Sequence, residues 1–300
     1  MTVKISNSQL LELNKQGLIP GPDENTYDFL SRVKQLLYFS NQIEEFLSDP
    51  DANIPFEVQD KIPPHQKTKS LLLTEQLYDI SPNWMQGFYS NHSLALWHAG
   101  CAWISPKSSP PKVYLQLRNT FKTSSRYLWI YKRDEILAHE LSHIGRMSFN
   151  EPIFEEILAY KTSHSSIRRW IGPSIDSPQE AFIFTLSIAI IVFLDYLLLF
   201  LQKFSIYLMA MSLKFIPLAM LAIVFWRNKK RQQTFSLCLH NLEKICSSKS
   251  NALAVLYRLT DKEIYRFSKT LPQTILQYVN EEKKHSLRWR LLALAYFYPQ

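Results

Sequence analysis

The most informative stretch of the sequence reads Glu135-Ile136-Leu137-Ala138-His139-Glu140-Leu141-Ser142-His143. Its apolar residues recur at helical spacing, and side chains four residues apart project from the same face of a helix. His139 and His143 can therefore direct ring nitrogens at one metal ion. Glu140 lies beside them, where a carboxylate can take a proton from water and later deliver it to a leaving amine. The stretch predicts a catalytic site for one Zn²⁺ ion on a helix over residues 134–147.

A third metal ligand is expected close by, because a catalytic zinc site usually has three protein ligands and one open position. The next helical stretch contains the adjacent glutamates Glu155 and Glu156. Only one of them can face the metal, since neighbouring helical positions point about a quarter-turn apart. His164 is a weaker candidate for the same role. The longer motif HExxHxxGxxH is absent, because Phe149 stands where it requires a histidine.

The order of these residues resembles the gluzincin group of metallopeptidases, in which HExxH is followed by a glutamate on the next helix. The run Glu156-Ile157-Leu158-Ala159-Tyr160 is similar to the ExxAD signature of the HtpX-like membrane peptidases, with Tyr160 in place of the aspartate. The resemblance covers residues 134–160. It implies a zincin-like catalytic domain, with Glu156 rather than Glu155 as the third ligand.

A peptidase also needs a donor that stabilises the oxyanion of the tetrahedral intermediate. The run His285-Ser286-Leu287-Arg288-Trp289-Arg290 loosely resembles a C-terminal region of the same family that contains histidine and arginine. The sequence therefore offers several donors, each of which also has an ordinary structural interpretation: Tyr160, His164, His285 and Arg288.

Two long apolar stretches, residues 181–201 and 204–226, follow the motif region almost without a break. Each is about as long as the apolar core of a bilayer is thick. Cations lie on both sides of the pair, at Arg168 and Arg169 and at residues 227–231, which favours the cytoplasm for both ends. We expect a transmembrane hairpin in an inner (cytoplasmic) membrane. Its charged residues Asp195 and Lys214 are expected to pair with each other, or Lys214 to extend its ammonium group toward the membrane interface; the alternative is a functional role for these charges. The alternative to the transmembrane hairpin is a buried helical hairpin in a soluble protein.

The rest of the chain predicts a mainly α-helical (α+β) fold. Amphipathic helices are expected over residues 23–49, 69–78 and 151–169, and again after residue 232. Alternation over residues 112–118, with apolar runs at 101–104 and 127–131, predicts a small sheet of two or three strands before the motif helix. We expect a catalytic domain (1–180), a hairpin (181–226) and a C-terminal helical region (227–300) that packs on the catalytic domain.

The sequence as a whole predicts a membrane-anchored zinc metalloendopeptidase that cleaves protein or peptide substrates, including those at the membrane. The formal net charge is +8, and the densest basic run directly follows an apolar stretch. That position is typical of a membrane flank, so the lipid bilayer is the expected partner and nucleic acid is not. The alternative is a non-catalytic membrane protein with a structural zinc site or with no metal.

Overall fold

Helices dominate the fold, with 66% of the described residues in helix and 7% in strand. The computed structural model describes residues 4–48, 56–105, 112–175 and 177–297. The chain divides into two compact units. The first unit contains Met1–His164 and Thr234–Gln300, and the second contains Ser165–Gln233.

The α-helices are, in chain order, α1 Asn7–Lys15, α2 Thr26–Asn41, α3 Ile43–Ser48, α4 Pro64–Tyr78, α5 Thr120–Thr123, α6 Arg133–Gly145, α7 Pro152–Tyr160, α8 Ser166–Ile171, α9 Pro178–Phe200, α10 Phe204–Ala210, α11 Phe215–Glu243, α12 Lys249–Tyr257, α13 Asp261–Phe267, α14 Pro272–Glu282 and α15 Leu287–Leu292. The strands are β1 Gly87–Tyr89, β2 Gly100–Ser105, β3 Lys112–Leu117, β4 Arg126–Tyr127 and β5 Tyr131–Lys132. The helix predicted around the motif is confirmed as α6.

The small sheet predicted before the motif helix is present, with strand order β1-β3-β2. β3 pairs in parallel with β1 and antiparallel with β2, so β2 is an outer strand of this sheet. The single strand predicted over residues 127–131 is wrong. The chain reverses there, because Leu128 and Trp129 adopt positive φ angles of 48° and 64°, and β4 and β5 form a separate two-stranded hairpin.

Two of the predicted helices are each divided in the structure. The helix expected over residues 23–49 is interrupted after Asn41, and its last predicted residue lies outside the described residues. The helix expected over 151–169 ends at Tyr160, and a new one begins after Ser165, whose hydroxyl accepts the Arg168 N–H as an N-cap. The periodicity continues across both breaks, so it did not reveal them.

The motif helix α6 lies at the centre of the first unit, packed against α4, α7 and β2. Its apolar side chains Leu137, Leu141 and Ile144 are completely buried. The C-terminal part of the chain reaches the same helix, because the Tyr257 hydroxyl of α12 donates to the Ser142 carbonyl. A Cβ at Gly145 would lie 2.3 Å from that hydroxyl, so only glycine fits there. Segments far apart in sequence therefore fix the position of the motif.

The second unit contains two helical segments long and apolar enough to cross a membrane, Gln179–Phe200 and Phe204–Glu243. Of the two arrangements expected for the charges inside them, the structure has the ion pair, since Lys214 Nζ lies 2.8 Å from Asp195 Oδ2. Arg227 forms a further ion pair with Glu180 at 2.8 Å. These pairs neutralise charges of the two helices within the unit itself.

Candidate metal centre

Helices α6 and α7 bring His139, His143 and Glu156 together. The potential ligand atoms of these three residues all lie within 4.8 Å of one another. The two Nε2 atoms are 3.4 Å apart, and the Glu156 carboxylate oxygens lie 3.6 Å from His139 Nε2 and 3.7 Å from His143 Nε2. Two imidazole nitrogens and one carboxylate oxygen are a donor set that suits zinc. The cluster expected from the sequence is thus present and fits a metal ion.

Glu155 lies behind His143 rather than among the three converging ligand atoms. Its Oε1 is 3.0 Å from His143 Nδ1, and its Oε2 accepts a hydrogen bond of 2.6 Å from Arg146 Nε. A carboxylate at Nδ1 favours the tautomer with its proton on that nitrogen, which leaves Nε2 free to bind a metal. Burial alone would raise the pKa of Glu155, but Arg146 and His143 together lower it. Glu155 therefore stays ionised and orients His143.

Arg146 is the residue that the sequence interpretation missed. Its side chain is 1% exposed, and its guanidinium also donates to the carbonyls of Tyr257 and Leu259. It follows His143 by three residues and therefore lies on the same face of the helix. That spacing was a signal available in the sequence, although it does not identify Glu155 as the partner.

Glu140 is buried next to the cluster, between α6 and the outer strand β2. Burial raises the pKa of its carboxyl to about 7, with a further increase from the charge of Glu156. His143 and a hydrogen bond with the backbone of Ala102 act in the opposite direction. A carboxyl that titrates near neutral pH can both accept and return a proton.

His143 also has a shifted pKa. Burial would lower it, but the hydrogen bond with Glu155 and the charges of Glu156, Glu155 and Glu140 raise it to about 9. A zinc ion binds the neutral imidazole, so its binding would release this proton. Three carboxylates around one histidine are the arrangement expected where a cation binds.

The orientation of α7 is set by a distant part of the chain. The backbone N–H groups of Ile153 and Phe154 donate to the Asp261 carboxylate at 2.8 and 3.2 Å. In return, the Asp261 N–H donates to Glu151 at 3.0 Å. This reciprocal cap fixes the rotation of α7 and hence which of its two adjacent glutamates faces the histidines.

The other residues proposed from the sequence have different partners. The ring of Tyr160 packs edge-on against His139, with 4.7 Å between centroids. His164 Nδ1 lies 3.0 Å from the buried carboxylate of Glu135. Arg288 is buried and donates to Glu263, while His285 is exposed just after α14. Tyr160 alone among these four has a described contact with a residue of the metal cluster.

No family model, no curated protein and no solved structure matches the chain. The chemistry of the site is therefore interpreted from its own side chains.

Proposed function

We propose that this chain is a membrane-anchored, zinc-dependent metalloendopeptidase, a divergent relative of the gluzincin group. The observation that carries the proposal is a buried carboxylate, Glu140, beside three converging ligand atoms from His139, His143 and Glu156. A purely structural zinc site is usually closed by four protein ligands. Here three donors converge among the described residues, and the additional carboxylate has the protonation behaviour of a general base.

In this proposal each residue has a distinct role. His139, His143 and Glu156 hold one zinc ion, which when bound would supply Lewis acidity toward a water molecule and the scissile carbonyl. Glu140 accepts a proton from the attacking water and returns it to the leaving amine. Glu155 keeps the His143 ring in the orientation and tautomer that ligation requires.

The substrate in this proposal is an extended peptide bound along the outer strand β2. Arg118 N donates to Ala99 O at 3.0 Å, in the same register as the β2–β3 pairs. Hydrogen-bonded pairs alternate in an antiparallel ladder, so the backbone groups of Gly100, Ala102 and Ile104 point away from β3. Ala102 reaches Glu140. An added peptide strand would therefore lie directly beside the general base.

The apolar helices of the second unit anchor the protein in this proposal. Arg168 and Arg169 precede the first candidate span, and a cluster of cations at residues 227–231 lies near the end of the apolar part of the second. By the positive-inside tendency, both ends lie in the cytoplasm, and the catalytic domain faces it from an inner membrane. Protein or peptide substrates at the bilayer surface then come within reach.

The decisive experiment measures zinc content and peptide hydrolysis on the same detergent-purified samples. We expect about one zinc per wild-type chain and none in His143→Ala or Glu156→Ala, because a site with two protein ligands binds zinc weakly. Glu140→Gln should keep its zinc and lose at least about 10³-fold in hydrolysis, since it cannot accept the proton. Glu12→Gln, on the exposed side of α1, is the matched control and should behave as wild type.

Three results would contradict the proposal in different ways. Hydrolysis retained in Glu140→Gln would exclude Glu140 as the base. Stoichiometric zinc with no hydrolysis of a peptide library by the wild type would favour a structural metal site. A folded wild type that binds no zinc even when zinc is supplied would exclude the metal centre.

A further inference from the structure

Five large apolar side chains of the first unit project into solvent from two neighbouring loops. We call them the apolar tip, and their exposed fractions are Leu96 75%, Trp97 67%, Leu128 51%, Trp129 91% and Ile130 59%. The two loops are tied together, because the Tyr127 hydroxyl donates to the Leu96 carbonyl at 2.5 Å. Arg118 also donates to the carbonyls of Leu94 and His98, at 3.3 and 2.9 Å. Hydrogen bonds thus fix the backbone of the two loops that carry the exposed side chains.

The backbone at the end of the tip is strained. Leu128 and Trp129 have φ angles of 48° and 64°, in the left-handed region that bulky residues rarely adopt. Glycine or asparagine would relieve this strain at a hairpin turn. Trp129 gains almost no burial within the described part of the chain in exchange, since its side chain is almost fully exposed. A strained turn that presents tryptophan to water indicates a function outside the folded chain.

The charged residues of the β4–β5 hairpin indicate which kind of surface the tip contacts. In the sequence, residues 80–133 contain seven lysines and arginines and no aspartate or glutamate, although Lys122 pairs with Asp60 at 3.1 Å and Arg133 lies 3.6 Å from Asp134. Two of these cations, Arg126 and Lys132, lie directly opposite each other across the β4–β5 ladder. Like charges at such a pair repel each other, so an anion near both would stabilise the hairpin. Lys132 is in addition 3.3 Å from Glu135.

The side-chain types of the β4–β5 hairpin change from its end to its base in the same order as the layers of a membrane interface. Aliphatic and indole side chains form its end, and the stacked rings of Tyr127 and Tyr131 follow, 6.3 Å apart. The cations Arg126 and Lys132 form its base. In a bilayer the acyl chains, the interfacial region favoured by aromatic rings and the anionic headgroups succeed one another in the same way.

We propose that the apolar tip inserts into the interfacial region of a bilayer that contains anionic phospholipids. This contact is additional to the helical anchor and does not depend on peptidase activity. β5 runs directly into α6, which carries His139 and His143. Docking of the tip therefore holds the candidate metal centre at the membrane surface, where substrates would have to lie.

The test uses the full chain in nanodiscs of phosphatidylcholine with or without phosphatidylglycerol. The emission of Trp129 is obtained as wild type minus Trp129→Phe, and that of Trp226, on a candidate span, as wild type minus Trp226→Phe. With phosphatidylglycerol, brominated acyl chains should quench Trp129, and its quenching by aqueous acrylamide should fall about threefold or more, as expected on insertion. Quenching of Trp226 by the brominated chains independently reports insertion of the hairpin.

Variants separate the contributions of apolar contact and charge. Arg126→Gln should shift the ratio of docked to undocked tip about fivefold toward the undocked state, the value of one cation near an anionic surface. Trp129→Gly should abolish docking and raise thermal stability in detergent, because it relieves the left-handed strain. Leu271→Asn is the matched control, since Leu271 is 75% exposed elsewhere on the first unit, and should leave docking unchanged.

Several outcomes would overturn the proposal. The first is a Trp129 that stays open to acrylamide and is not quenched by brominated lipid while Trp226 is quenched. Quenching that is independent of phosphatidylglycerol would exclude recognition of anionic headgroups. Protection of Trp129 from acrylamide that appears only in discs with two copies of the protein would identify a second chain as the partner. Protection that appears only after addition of an oligonucleotide would identify a nucleic acid.

Discussion

Two polar clusters of the first unit contain similar side chains in opposite arrangements. In one, which we call the arginine cluster, both oxygens of Glu263 accept hydrogen bonds from Arg288 at 2.8 and 2.9 Å, and Trp289 donates a third at 3.1 Å. In the metal cluster, the Glu156 carboxylate is 42% exposed and lies 3.6–3.7 Å from two imidazole nitrogens. The first carboxylate accepts hydrogen bonds from fixed donors, whereas the second faces two imidazole nitrogens that become acceptors when the rings are neutral. Acceptors that converge in this way are expected where a cation binds.

The largest expected effect comes from breaking the arginine cluster. Glu263→Ala should lower the free energy of unfolding by about 3–5 kcal/mol, because Arg288 is left buried without its counter-charge. Urea unfolding in detergent measures this, with the exposed Glu281→Ala on α14 as the control. Zinc per folded chain should not change. A loss below about 1 kcal/mol would mean that solvent reaches Arg288 in solution.

A smaller effect is expected from the carboxylate that orients His143. Glu155→Gln should weaken zinc binding about 10–100-fold, the usual cost of losing a partner of a ligating histidine. Competition against a chelator measures the affinity, and a melting curve confirms folding. The neighbouring Glu156→Gln is the matched comparison and should lose more, since it alters a ligand. Unchanged affinity in Glu155→Gln would show that Glu155 serves Arg146 alone.

The candidate metal cluster was largely predictable because its information is local. His139 and His143 share a helical face at a spacing of four residues, and the third ligand lies in the next helix. The role of Glu155 was not predictable in the same way. Which of two adjacent glutamates faces the histidines depends on the rotation of α7, and Asp261, more than a hundred residues away, fixes that rotation.

The fold was predicted least well where one pattern of apolar residues is compatible with two different arrangements. In α2, residues 27, 30, 33 and 37 have helical spacing, yet the buried face contains Phe29, Val33, Leu36 and Phe39. Both series are apolar, and the one with two phenylalanines buries more area. The apolar run at 127–131 was assigned to a strand of the small sheet because apolar residues are usually buried. Its side chains are exposed at a turn instead, which periodicity does not detect.

A third prediction concerns pH in the zinc-free protein. Burial raises the pKa of Glu140 from 4.5 to about 7, so the folded state holds this proton more tightly than the unfolded state. Stability should therefore fall as pH rises between those values. Glu140→Gln removes the contribution, and its stability relative to wild type should increase by up to about 3 kcal/mol across this window. Melting curves with a chelator from pH 4 to pH 8 measure it. A constant difference would mean that Glu140 is solvated in solution.

The smallest expected effect is that of His164, which the sequence offered as a weaker ligand and the structure pairs with Glu135. The side chain of His164 is 69% exposed, so His164→Ala should change stability by no more than about 0.5 kcal/mol. Glu135 also accepts a hydrogen bond from Ser163 and lies near Lys132. Zinc affinity, measured by chelator competition beside Glu155→Gln, should stay within about twofold of wild type, because the described partner of His164 is Glu135 and not a residue of the metal cluster. A loss as large as that of Glu155→Gln would make His164 a fourth ligand. The metal cluster would then be closed like the arginine cluster, and zinc there would serve the fold rather than catalysis.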